Sequence, residues 1–148
     1  MKRDHSLFLT KWLHSSTRKP LVVRGARQVG KTWLIRDLAK SEKKLLVELN
    51  FEKRPDYQTL FVSNDPTEVI RNISAIKGTT IDPTSSILFL DEIQAAPHLL
   101  GKLRWFAEDM PELAVVAAGS LLDFALSDHE FSMPVGQIGY LYLEPLSF

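Results

Sequence analysis

Five short apolar runs alternate with longer amphipathic segments along the chain. The runs predict strands over residues 21–23, 45–49, 87–90, 113–118 and 140–143. Strands that alternate with helix-length segments are typical of a parallel sheet with crossover helices. The third run, Ile-Leu-Phe-Leu, has no polar residue, as a strand buried on both faces requires. The pattern therefore predicts an α/β fold.

Helical spacing of apolar residues predicts the helices between these strands. They cover residues 3–16, 31–43, 57–62, 98–109 and 121–126, and a further helix starts at residue 66. Asp65 is suited to cap that helix, because Pro66 then occupies its first turn. Trp12, Trp33 and Trp105 each belong to a helical apolar pattern. Packing in or near the core is therefore favoured over stacking on nucleic-acid bases.

Composition narrows the class of protein. The chain has 148 residues, 45% of them hydrophobic, and no cysteine. This fits one globular domain whose core needs no disulfide, and it excludes thiol catalysis and cysteine-zinc sites. No apolar run approaches the ~20 residues that span a bilayer, and the N-terminus lacks the apolar segment of a signal peptide. We therefore expect a cytoplasmic protein without a membrane partner.

A net charge of zero conceals an asymmetry. All 18 Lys and Arg lie in residues 1–104 with 11 acidic residues, so this part carries +7. Residues 105–148 contain seven acidic residues and no Lys or Arg, which gives −7. Charged residues on solvent-exposed surfaces are enough to explain this asymmetry, and the positive charge of residues 1–104 alone is a weak argument for nucleic-acid binding. Nucleic-acid binding thus stays an alternative without a supporting motif.

The strongest motif is the segment 25–32, which fits G-x-x-x-x-G-K-[ST] between a predicted strand and a predicted helix. Its glycines let backbone N–H groups surround a phosphate, and the helix N-terminus favours the anion. Lys31 is predicted to reach the β- and γ-phosphates and to act in catalysis, and Thr32 to bind Mg²⁺. The predicted nucleotide-binding residues are Gly25, Ala26, Arg27, Gln28, Val29, Gly30, Lys31, Thr32 and Trp33.

An acidic pair follows the third predicted strand. Asp91 and Glu92 come directly after the apolar run 87–90, and the carboxyl ends of parallel strands are where α/β sheets bind ligands. Asp91 is predicted to hold Mg²⁺ through water. Glu92 is predicted to be the catalytic base that activates the attacking water. The phosphate loop and the acidic pair together predict a nucleotide-hydrolysing site.

Three polar residues near strand ends are further candidates. Ser120 is interpreted either as a contact to the γ-phosphate or its water, or as a cap for the helix at 121. Asn50 either restrains Glu92 or is a plain turn residue. Gln94 has a structural or supporting role. The four histidines lack ligand spacing, so no metal site is predicted from them.

With these motifs placed, the sequence resembles the AAA-type ATPase domain of a bacterial and archaeal family of uncharacterised ATP-binding proteins. A C-terminal domain with a nuclease-like fold usually follows this domain in the family. The matching stretches are residues 23–32, 89–94, 118–120, 134–136 and 143–148. The resemblance implies a P-loop NTPase three-layer α-β-α sandwich whose parallel sheet has the order 5-1-4-3-2. It also implies ATP and Mg²⁺ as cofactors, Glu92 as the base and Ser120 as the sensor.

Two departures from the family bear on activity. Members typically carry arginine where this chain has Gln137, a position at which related ATPases supply an arginine finger. Loss of a finger lowers turnover by about 10³ to 10⁵. The chain also stops inside the family's closing motif, so we expect residues 1–148 to be the ATPase core of a longer protein, with the downstream domain absent.

The primary hypothesis is ATP-Mg²⁺ binding with weak or partner-dependent hydrolysis. The alternative is a nucleotide-dependent switch without appreciable turnover. A small-molecule kinase is less favoured, because neither an acceptor-site pattern nor an arginine-rich lid is present. We predict ATP rather than GTP as the nucleotide, because of the resemblance and because the sequence lacks the guanine-binding motif Asn-Lys-x-Asp. A homo-oligomer or another protein is the expected partner.

Overall fold

The centre of the protein is a five-stranded parallel sheet. The structure, a computed structural model, describes residues 2–25, 30–120 and 138–143. The strands are β1 (Leu21–Gly25), β2 (Leu45–Asn50), β3 (Ser86–Asp91), β4 (Ala114–Gly119) and β5 (Gly139–Leu143). Their order is β2-β3-β4-β1-β5, and every neighbouring pair is parallel. This confirms the order that the family resemblance implied.

The two central strands β3 and β4 are buried along their whole length. Their sequences are almost entirely apolar, because a central parallel strand is covered by helices on both faces. Strands β2 and β5 are the outermost strands of the sheet. Since all five strands are parallel, their carboxyl ends lie along one edge of the sheet, which is where the phosphate loop begins.

Helices cover both faces of the sheet. The α-helices are α1 (Lys2–His14), α2 (Lys31–Ser41), α3 (Pro66–Lys77) and α4 (Leu103–Asp109). Shorter 3₁₀ helices span Pro55–Phe61, Pro83–Ser85, Ile93–Ala95 and Pro97–Lys102. The segment expected to be one helix over 98–109 is therefore a 3₁₀ turn followed by an α-helix. The helix expected over 57–62 is likewise of the 3₁₀ type.

Two clusters of buried side chains form the core, one on each face of the sheet. One contains Leu13 of α1 and Ile35 of α2, packed with Phe89 of β3. The other contains Ile73 of α3 and Leu88 of β3, together with residues of α4. Alternating residues of β3 thus point to opposite faces, as strand geometry requires. The result is the predicted three-layer arrangement.

The ends of α3 follow from local side-chain chemistry. Asp65 caps the helix as predicted, because its side chain accepts a hydrogen bond from the Thr67 N–H at 3.0 Å. Pro66 occupies the first turn, where a missing N–H costs nothing. Gly78 ends the helix with φ of 65°, a left-handed conformation that glycine adopts without strain.

The prediction for Trp33 was wrong, whereas those for Trp12 and Trp105 were right. Trp12 is buried and donates from Nε1 to the Lys19 carbonyl oxygen at 2.7 Å, and Trp105 is half-buried. Trp33 is 52% exposed. The buried stripe of α2 is centred between Leu34 and Ala39, and at ~100° per residue Trp33 lies roughly 170° from that centre.

Other predicted features fall outside the described residues or differ slightly. The helix expected over 121–126 lies outside them. Strand β5 begins at Gly139, one residue earlier than predicted. Within the ranges the structure describes, no helix has the length and apolarity needed to cross a membrane.

Candidate functional site

The candidate site lies where β1 ends and α2 begins. Residues 26–29, the middle of the predicted phosphate loop, lie outside the described residues, whereas Gly25 and Gly30 on either side are described. Gly30 precedes α2 with φ of 86° and ψ of 21°, a left-handed conformation. An L side chain there would be strained, so this position favours glycine. The glycine of the motif is therefore explained by the turn into α2.

Lys31 is buried at this edge of the sheet. The side chain is only 7% exposed, and its Nζ donates to the Gly25 carbonyl oxygen at 3.0 Å. The ammonium group thus lies at the end of β1, next to the N-terminus of α2. A helix N-terminus carries partial positive charge from its unpaired N–H groups, and an adjacent ammonium adds a full charge. This combination attracts an anion.

Thr32 and Asp91 meet at the same edge, although they are 59 residues apart in the sequence. The Thr32 hydroxyl donates to Asp91 Oδ2 at 2.9 Å. Asp91 is 3% exposed, and its Oδ1 accepts from the Glu92 N–H at 2.9 Å. Burial raises the pKa of the Asp91 carboxyl, and the two hydrogen bonds act against this shift. The two predicted magnesium residues are therefore in direct contact.

The donor set fits Mg²⁺. A hydroxyl and a carboxylate are oxygen ligands of the kind Mg²⁺ prefers, and the ion usually keeps several waters and binds phosphate rather than an all-protein cage. Within the described part of the chain, no group of three or more His, Cys, Asp or Glu is arranged to hold a metal ion. The raised pKa of Asp91 also reflects a buried charge that a cation would relieve.

Glu92 follows directly, in an unusual backbone conformation. Its φ of 54° and ψ of 46° are left-handed, which costs a non-glycine residue roughly 1–2 kcal/mol. The side chain is half-buried, and its Oε2 accepts a hydrogen bond from Gln94 Nε2 at 2.5 Å. Such strain is concentrated at functional sites, where the surrounding structure holds it in place. The sequence predicted a structural or supporting role for Gln94, but not its hydrogen bond to Glu92.

Ser120 and Asn50 lie at the ends of β4 and β2, the two strands that flank β3. Ser120 follows β4 and is 3% exposed, and its Oγ has no hydrogen-bond partner among residues 2–25, 30–120 and 138–143. The helix that it was alternatively expected to cap lies outside those ranges. Asn50 is a turn residue, because its Oδ1 accepts from the N–H groups of Glu52 and Lys53, each at 3.0 Å. Glu92 is bonded by Gln94 instead.

The fold and the arrangement at this edge define an AAA-type P-loop ATPase domain. A glycine-capped helix, a buried lysine and a hydroxyl–carboxylate pair all lie at the carboxyl edge of a parallel sheet of order β2-β3-β4-β1-β5. Residues 17–148 match the model of a family described as AAA domain. The chain belongs to this family, which supports nucleotide binding of the ATPase type.

Solved structures agree with the fold. The Aeropyrum pernix ORC1 protein in complex with DNA has a TM-score of 0.55 and 18% identity, over 99% of this chain and 44% of its own. Drosophila ORC bound to DNA has a TM-score of 0.64 and 13% identity, over 99% of this chain and 41% of its own. This chain therefore spans less than half the length of either. Comparison with curated proteins gave no match.

Proposed function

We propose that this domain binds ATP together with Mg²⁺ and hydrolyses it to ADP and phosphate. The observation that carries the proposal is the contact of the Thr32 hydroxyl with the buried Asp91 carboxylate, beside the buried Lys31. These three residues come from a phosphate-loop motif and a distant acidic motif, and folding brings them to one edge of the sheet. Family membership supports the nucleotide-binding part of the proposal.

Nucleotide binding rests on positive charge and N–H groups at the start of α2. The phosphate-loop residues 25–30 would surround the phosphates with backbone N–H groups, and Lys31 would contact the β- and γ-phosphates. Lys31 is already held at the end of β1 by the Gly25 carbonyl. A lysine placed in advance loses less side-chain entropy on binding, which favours affinity. Trp33, two residues after Lys31, is exposed in the first turn of α2 and would complete the nucleotide-binding set.

Thr32 and Asp91 would hold Mg²⁺, the threonine through its hydroxyl and the aspartate through a bound water. When bound, Mg²⁺ neutralises the charge that develops on the phosphate oxygens during phosphoryl transfer. The Glu92 N–H and the Thr32 hydroxyl keep the Asp91 carboxylate in one orientation. This fixed orientation favours catalysis, because the groups need no rearrangement during the reaction.

Glu92 would act as the general base. Its carboxylate accepts a proton from water while the water oxygen attacks the γ-phosphorus, and the bond from that phosphorus to the β–γ bridging oxygen breaks. ADP and inorganic phosphate leave as products. The buried Ser120 hydroxyl, which has no hydrogen-bond partner among the described residues, lies at the end of the adjacent strand β4 and would contact the γ-phosphate or the water.

We propose that turnover by this chain alone is slow and depends on a partner. No Lys or Arg follows Arg104 in the sequence, so residues 105–148 contain no arginine finger. Gln137, where the resembling family carries arginine, lies outside the described residues. Another protein, or an arginine from residues 1–104 of a second copy of the chain, would then supply the missing charge.

The test compares ATP binding and turnover in wild type, Glu92→Gln and a matched control, Glu68→Gln, at an exposed position on α3. Glu92→Gln should bind ATP as tightly as wild type and lose about 10²- to 10⁴-fold in kcat, because it lacks the base. Glu68→Gln should behave as wild type. Turnover that Glu92→Gln leaves intact would refute the base assignment. Tight binding with no turnover in wild type would favour the switch alternative.

A further inference from the structure

Gln94 connects the ends of strands β3 and β4. Its Nε2 donates to Glu92 Oε2 at 2.5 Å, immediately beyond β3. The other end of the same amide, Oε1, lies against Gly119, the last residue of β4. One side chain therefore links the proposed base to the strand end that carries Ser120.

Gly119 provides the space for this amide. A Cβ at position 119 would clash with Gln94 Oε1. It would also lie 3.3 Å from the backbone nitrogen of Gln94 and 3.3 Å from Cγ2 of Ile93. Any side chain at position 119 would push the amide from its place. A side chain at position 119 would therefore disturb the amide of Gln94, whereas no left-handed backbone angle calls for glycine there.

The position of the amide is not the one that stability alone would favour. Gln94 Oε1 is buried and has no hydrogen-bond partner within the described ranges. A buried acceptor without a donor costs roughly 1–3 kcal/mol. In contrast, Nε2 makes a short bond to a carboxylate, and hydrogen bonds to charged groups are the stronger ones. The side chain is thus placed for its contact with Glu92.

We propose that Gln94 is a positioning residue for Glu92. Its amide occupies Oε2 and fixes the carboxylate rotamer, so that Oε1 is directed to the attacking water. A half-buried glutamate without this contact would sample several rotamers, and few of them would be productive. This inference rests on the proposed function, in which Glu92 is the base. Gly119 contributes to this positioning, because it leaves room for the amide of Gln94.

The first test removes the amide. Gln94→Ala and Gln94→Met should each lower kcat by about 10- to 100-fold, as expected for a misplaced catalytic group, while KM for ATP stays within about twofold. Methionine keeps the length of the side chain but lacks the donor, so it separates lost volume from lost positioning. The control is Gln58→Ala, at another half-buried glutamine on the Pro55–Phe61 helix, and it should match wild type.

The second test uses Gly119→Ala, with Gly101→Ala as control because a Cβ at position 101 meets no atom within 4 Å. Gly119→Ala should lower kcat by about 10- to 100-fold when Gln94 is present, because the amide is displaced. In the Gln94→Ala background the same change should lower kcat by less than about threefold, since the two residues act as a unit. ATP affinity measured on each variant confirms that it is folded.

Each outcome separates the inference from the proposed function. An unchanged or increased kcat in Gln94→Ala and Gln94→Met overturns the positioning role, and an increase would mean that Gln94 restrains the base. Equal losses from Gly119→Ala in both backgrounds overturn the link to β4. Wild type without turnover, or Glu92→Gln with full turnover, refutes the proposed function and the inference with it. If Glu92→Gln loses turnover but the Gln94 variants keep it, only the inference is refuted and the proposed function stands.

Discussion

Replacing Thr32 with valine tests the contact at the centre of the site. Valine matches threonine in shape, so the change removes the hydroxyl without opening a cavity. The lost bond is the 2.9 Å donation to Asp91 Oδ2, one of two hydrogen bonds that the buried carboxylate accepts from Thr32 and Glu92. A carboxylate that is 3% exposed cannot recover the bond fully from water.

The expected cost is about 2 kcal/mol of unfolding free energy, because hydrogen bonds to charged groups contribute roughly 1.5–3 kcal/mol. For a domain of this size that lowers Tm by about 4–8 °C. Thr32→Ser keeps the hydroxyl and should cost less than about 1 kcal/mol, the value of one buried methyl group. In an Asp91→Asn background the cost of Thr32→Val should shrink, since the acceptor is no longer charged.

Urea denaturation in metal-free buffer at pH 7.5 measures the unfolding free energy of all five proteins: wild type, Thr32→Val, Thr32→Ser, Asp91→Asn and the double variant Thr32→Val/Asp91→Asn. Equal stability of Thr32→Val and Thr32→Ser would refute the reasoning, because the hydroxyl–carboxylate bond would then contribute no more than one buried methyl group. A Thr32→Val cost that is the same with Asp91 and with asparagine at that position would also contradict it, since the acceptor would then not be residue 91.

Three further predictions concern charge, turnover and capping. Burial raises the pKa of Asp91, so wild type loses stability as pH rises through that pKa. In metal-free urea denaturation, the unfolding free energy of Asp91→Asn should therefore exceed that of wild type by more at pH 7.5 than at pH 4.5. An equal gain at both values would contradict this. Gln137→Arg should raise ATP turnover by at least about tenfold at high protein concentration if this position supplies a finger, and unchanged turnover in a phosphate-release assay would remove that explanation. Asp65→Ala should cost about 1 kcal/mol of unfolding free energy through loss of the α3 cap, and no change in the urea midpoint would contradict that role.

Most of the fold was predictable because it depends on local patterns. An apolar run such as 87–90 and a cap such as Asp65 are encoded in adjacent residues, and both were found. The strand order needed the family resemblance, since periodicity does not say which strands are neighbours. Trp33 was misassigned because it is adjacent to Leu34 in the sequence but lies on the opposite face of α2. The buried face is filled by Leu34, Ile35, Leu38 and Ala39.

The proximity of the candidate site residues was predictable, but their individual contacts were not. The spacing of Lys31 and Asp91 in recognisable motifs indicated the chemistry, and the fold brings the motif residues together. The bond from Gln94 to Glu92 depends on a left-handed backbone at Glu92 and on the missing side chain at Gly119. No local pattern in the sequence encodes that juxtaposition, because its parts come from two strands.

Calorimetric titration of wild type and Lys31→Ala with Mg²⁺ and ATP tests the central claim most directly. In the proposed site, the phosphates bind at the buried Lys31 ammonium and the start of α2. Wild type should bind ATP, and Lys31→Ala should bind at least about tenfold more weakly, which is the loss of about 1.4 kcal/mol. An exposed control, Lys40→Ala at the far end of α2, should bind as wild type does. Equal affinity of Lys31→Ala and wild type would contradict the assignment of the site.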